Sequence, residues 1–149
     1  MSASNDFEAE LLDLIFNNSN IANIGDATGL RGATAAGSFY VALFTADPGE
    51  ADSASNEASY TGYARVAVAR SAGGWTRSGT APTQVANTSA VTFGQCTAGS
   101  NTITHAAICK AGTAGVADIL LSGALSSSLA VSTNITPQFN ASQLVFTLD

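Results

Sequence analysis

Residues Ser38 to Ala46, SFYVALFTA, place Phe39, Val41 and Leu43 on one face of an extended chain and Tyr40, Ala42 and Phe44 on the other. Side chains of a strand alternate between faces, so a strand that is apolar on both must be covered on both. Asp47-Pro48-Gly49 stops the run, because proline presets a turn and glycine admits positive φ. After a long polar loop, Tyr63 to Ala69 sets Val66 and Val68 on one face and Tyr63 and Arg65 on the other, the pattern of a half-buried strand.

Upstream, Phe7, Leu11, Leu14 and Ile15 recur at helical spacing, and the expected helix spans 5–17, with Asn5 as cap, Glu8 three residues on, and Asn17-Asn18 as its end. Ser19 to Gly37 has no period and reads as a loop; its glycines do not make a phosphate cradle, since Gly32 is followed by Ala33-Thr34 where a lysine is required. Downstream, short strand-like runs cover Thr83–Ala86, Ala90–Gln95, Thr102–Ala111, Asp118–Leu125, Leu129–Val131, Ile135–Asn140 and Gln143–Leu148. The last puts Leu144, Phe146 and Leu148 on one face, expected to be core. Such runs separated by Gly, Ser and Asn predict a mainly β fold: an antiparallel β-sandwich or barrel-like domain over 38–149 with one N-terminal α-helix. A chain of 149 residues fits one domain, 1–149, able to bury roughly 70% of its unfolded surface.

Charged residues are 11% of the chain, against about 25% in an average domain. The net charge of −6 argues against direct nucleic-acid binding, which needs clustered basic groups. No apolar run is long enough to span a membrane, and the N-terminus MSASNDFEAELL is acidic where a signal peptide is basic. The two cysteines, Cys96 and Cys109, are expected to stay unpaired. In a hairpin of Ala90–Gln95 with Thr102–Ala111 they would lie roughly 20 Å apart, far beyond disulfide reach.

Candidate chemistry is sparse. His105 is the sole histidine and neither cysteine has metal-ligand spacing, so a packed histidine is expected and no metal or cofactor. No Gly-x-Ser-x-Gly or His-Glu-x-x-His pattern presents a catalytic group, and no enzyme activity is expected. Asp47, Glu50, Asp52 and Glu57 read as a solvated acidic loop. Tyr60, Tyr63, Arg65, Arg70 and Trp75, with Arg77 nearby, are the one aromatic and basic concentration. Either they form a protein interface, the assignment favoured for Arg65 and Arg70, or the aromatics close the fold while the arginines pair with the acidic loop.

The segments FYVALFTADPGEA (39–51) and YTGYARVAVARSAGGW (60–75), with Asn23-Ile24-Gly25-Asp26 and Ile135-Thr136-Pro137, resemble a family of small tailed-phage virion proteins described as tail fibre or capsid decoration proteins. The resemblance implies a structural role in the virion after assembly in the host cytoplasm. The expectation drawn from it is a capsid decoration (cement) protein, a homotrimer on the outer capsid surface that bridges subunits of the major capsid protein; the acidic charge suits that outer position. The alternative is a tail fibre or receptor-binding module that recognises the host surface.

Overall fold

The computed structural model describes residues 3–51, 53–79 and 83–148. The elements run α1 (Asn5–Asn17), β1 (Ser38–Phe44), β2 (Val66–Ala69), β3 (Trp75–Ser78), β4 (Thr83–Asn87), β5 (Val91–Thr92), β6 (Asn101–Cys109), β7 (Ile119–Val131), β8 (Gln138–Phe139) and β9 (Val145–Leu148). They fall into two compact units. One comprises Met1–Ser38, Ala69–Ala90 and Phe139–Asp149, the other Phe39–Val68 and Val91–Gln138.

The first unit is a helix on a three-stranded sheet of order β3-β4-β9, antiparallel throughout. The helix occupies the expected residues, but Ser4 is the cap in place of Asn5: its hydroxyl accepts from the Phe7 amide at 3.3 Å. At the other end Asn18 adopts φ +58°, and its amide returns to the Asp13 carbonyl. The last turn carries no basic residue. Arg70 takes that role from outside the helix, donating to the carbonyls of Ile15 at 2.8 Å and Leu14 at 3.0 Å, which have no partner within the helix.

The buried stripe of α1 is Glu8, Leu12 and Phe16, while Phe7 is exposed and Leu11, Leu14 and Ile15 are half-buried. The helix is therefore rotated from the face expected on apolar spacing. Its orientation follows from Phe16, whose ring meets Trp75 edge-on at 5.0 Å and stacks on Phe146 at 5.9 Å, an aromatic contact that adds to simple burial. Leu144 is buried and Phe146 joins this cluster, as the spacing of the last strand predicted; the Leu148 side chain lies outside the described residues. Asn87, fully buried, donates to the carbonyls of Ser89 and Asn140 and accepts from the Leu144 amide, stapling the approach of β9 to β4.

The second unit is built on a four-stranded sheet of order β2-β1-β6-β7. β1 lies inside it, and Val41, Ala42, Leu43 and Phe44 are all buried, which satisfies the demand of a two-sided apolar strand. β1 pairs antiparallel with β6, from Tyr40 opposite Cys109 to Phe44 opposite His105. Ala42, Phe44, Ala107 and Cys109 form one buried cluster, with Tyr40 and Ile119 packed against it. β7 merges two of the expected runs: its register on β6 jumps from Leu129 opposite Ile103 to Ala124 opposite His105, so Leu125 to Ser128 bulge from the ladder. Ala90–Gln95 yields only the two residues of β5, which pair with β8, so the hairpin with β6 does not form. Cys96 and Cys109 are nevertheless separate, buried thiols.

The structure is predominantly β with one N-terminal helix, but its sheets do not close into a sandwich or barrel. Alternation shows that a strand needs cover and is silent on what supplies it. In the three-stranded sheet a helix does so, through Phe16. Phe16→Ala is expected to lower stability by about 3–5 kcal/mol. Leu12→Asp should be more disruptive than Leu11→Asp, because only Leu12 would carry the charge into a buried site; thermal unfolding followed by circular dichroism compares the three.

Candidate functional site

The acidic loop, the start of β2 and the β6–β7 turn meet at Arg65. Its side chain is fully shielded from solvent, as is nearly all of Glu57. The guanidinium Nε donates to Glu57 Oε1 at 2.8 Å and Nη2 to Glu57 Oε2 at 3.0 Å, a bidentate pair. Nη1 donates to Asp118 Oδ1 at 2.6 Å and to the Ala111 carbonyl, and Nη2 also reaches the Val116 carbonyl. All five N–H donors of the side chain are thereby used. Glu57 further accepts from the Tyr63 hydroxyl and the Gly115 amide, and Asp118 from the Ala111 amide. Tyr63 completes the link to the sheet by accepting from the Leu43 amide.

Burial alone would lower the Arg65 pKa, but the hydrogen-bonded carboxylates of Glu57 and Asp118 hold it above its ordinary value. Burial, with the neighbouring Glu57 charge, pushes the Tyr63 phenol up; burial, with Cys96, does the same to Tyr60.

These contacts relocate several residues singled out from sequence. Tyr60, Tyr63 and Arg65 come together in the second unit, and Tyr63 lies edge-on to Tyr60 and stacked on Phe93. Arg70 and Trp75 belong to the first unit, where Arg70 binds helix carbonyls and Trp75 is 0% exposed. Arg65, Tyr60 and Trp75 thus serve the interior of the chain, and the interface assignment favoured for Arg65 gives way to pairing with the acidic loop. Glu57 correspondingly leaves the solvated cluster. Asp47 accepts from the Gly49 amide at 2.9 Å, closing its own turn, and Glu50 is exposed; Asp52 lies outside the described residues.

The surface feature that sequence reasoning missed is a groove of about 490 Å³ beside β7, lined by Asp47, Glu50, His105, Leu121, Ser122 and others. His105 is half-buried, and its Nδ1 lies 2.9 Å from the Thr104 hydroxyl. The groove combines two carboxylates, an imidazole and a hydroxyl with leucine side chains. It can accept hydrogen bonds from a hydroxyl-rich or cationic ligand while covering an apolar face. Among the described residues no group of three or more His, Cys, Asp or Glu converges as a metal site, and no helix is long and apolar enough to cross a membrane.

Compared with known families, residues 2–147 match the family described as podophage GP4 fiber I protein gp80. The match spans nearly the whole chain, so the protein belongs to this family of phage structural proteins. No curated protein matches it.

Removing one partner from the buried ion node leaves an uncompensated charge, so Arg65→Ala or Glu57→Ala is expected to cost about 3–5 kcal/mol in denaturant unfolding. The raised Tyr63 pKa predicts alkaline destabilisation. The contribution of its buried neutral phenol is complete below its ordinary pKa of about 10 and is lost as pH rises beyond that, at up to about 1.4 kcal/mol per pH unit. Unfolding free energies measured from pH 9 to 11 should fall less steeply in Tyr63→Phe than in the parent.

Proposed function

We propose that the protein is a component of a phage tail fibre and takes part in recognition of the host surface. The observation that carries this proposal is the family match over residues 2–147, whose description is that of a fibre protein. It favours the tail over the capsid decoration role, in which the chain would bridge subunits of the major capsid protein. The groove beside β7 supports a binding role, since it is concave and joins a few polar groups to apolar walls. The ligand class it suits is a hydroxyl-rich surface glycan or a cationic group, held by Asp47, Glu50 and His105.

Quantifying the protein in purified virions separates the two locations. A fibre component is expected in a small number set by the tail, whereas a decoration protein would match the symmetry-related sites of the shell. Purified protein should also bind host cells, and Glu50→Gln with His105→Ala should weaken that binding by about tenfold or more, the worth of one hydrogen bond to a charged group. Binding to emptied capsids, with none to cells, would return the chain to the shell.

A further inference from the structure

The groove beside β7 has walls of two kinds. One is the start of β7, from Ile119 to Ala124, which pairs with β6 in the sheet. The other is Asp47, Gly49 and Glu50, carried on the polar loop from Thr45 to Asn56. Among the described residues of that loop only Pro48 is buried, so apolar burial does little to place it. The loop is closed at its stem, where the Thr45 amide donates to the Asn56 carbonyl at 2.9 Å and the Ala58 amide to the Leu43 carbonyl at 2.8 Å. Closure at one point leaves the tilt of the loop to other contacts. Glu57, the residue after the loop, is bound bidentately by Arg65, and Arg65 donates at 2.6 Å to Asp118, the residue before β7. The Gly115 amide adds a further link to Glu57 at 2.6 Å. One guanidinium thus joins the root of one wall to the root of the other.

We propose that Glu57, Arg65 and Asp118 are positioning residues for the groove: their ion node holds the Asp47–Glu50 wall at a set distance from β7, so that the site is formed before its ligand arrives. This rests on the reading of the groove as a binding site. Arg65 acts at a distance, because its side chain is 0% exposed and its five donors are all used within the chain. Its hydrogen bonds are directional, so they fix where Glu57 stands relative to Asp118, whereas an apolar contact would let the loop slide. A wall held in place spares the ligand the conformational entropy of ordering it. Burial also keeps the node from being screened by salt, so the spacing of the walls does not follow ionic strength.

Spin-label distances in the full chain test this without a ligand. Glu50→Cys with Ser122→Cys puts one label on each wall, at exposed positions, while Cys96 and Cys109 are buried. Thr92→Cys with Thr102→Cys, also exposed and in the same unit but outside the groove, is the control pair. Asp118→Asn then removes the charge and keeps the size of the side chain. The wall-to-wall pair is expected to lose its single narrow distance in Asp118→Asn while the control pair keeps its own, and unlabelled Asp118→Asn should bind host cells about tenfold more weakly than the parent. If Asp118→Asn does not fold, Glu57→Gln takes its place. An unchanged wall-to-wall distance, equal broadening of both pairs, or loss of the fold in both variants would overturn the proposal, the last two because the node would then hold the whole unit together. A parent that binds no host cells would remove the groove's assigned role and leave the clamp to be judged on the spin labels.

Discussion

Arg65 is the point on which the second unit depends. The unit has few regular elements outside its sheet, and its long connections around Glu57 and around Ala111 to Asp118 cannot order themselves by hydrophobic burial, being polar or made of small residues. A guanidinium with five satisfied donors draws both connections to one place, and Tyr63 carries the same network to the amide of Leu43 in β1. Taking three charged groups out of water is costly. It is tolerable here because each carboxylate also accepts a backbone amide and the arginine leaves no donor unpaired. The node is thus a device for specificity of loop placement as much as for stability.

The first unit uses the same economy of charge. Arg70 supplies the cationic group that the end of α1 lacks, and Arg77 pairs at 2.8 Å with Asp13, an exposed contact of small energetic weight. With five basic residues in the whole chain, and Arg65, Arg70 and Arg77 committed in this way, little positive charge is left to dress the surface. What remains outside is rich in small polar and apolar side chains, and β7 is its clearest expression. A surface of that kind suits a virion component, which packs against other protein.

The sheet framework was legible because its strands carry local signals. β1 announced itself by two apolar faces, β6 by a long β-branched and alanine-rich run, and the ends of α1 by small capping side chains. β3 was not legible, since Trp-Thr-Arg-Ser has no apolar alternation and is a strand only through its pairing with β4. β2 starts three residues later than its pattern suggests, because Tyr63 and Arg65 are drawn into the ion node. Ser126 to Ser128 looked like a gap between strands and proved to be part of a bulge within one.

From sequence alone came the helix boundaries, the burial of β1 on both faces, the mainly β composition of the chain and its place among phage virion proteins. All of these rest on short-range pattern or on residue identity along the chain. The tertiary structure decided which side of α1 is buried, what covers the three-stranded sheet, and that Arg65, Tyr60 and Trp75 face inward. It also decided that Glu57 and Asp118, 61 residues apart in the chain, share one guanidinium. A side chain such as arginine is equally suited to a partner's surface and to a buried carboxylate pair. Its choice is set by which groups the fold brings within hydrogen-bond distance, a long-range property that no local spacing encodes.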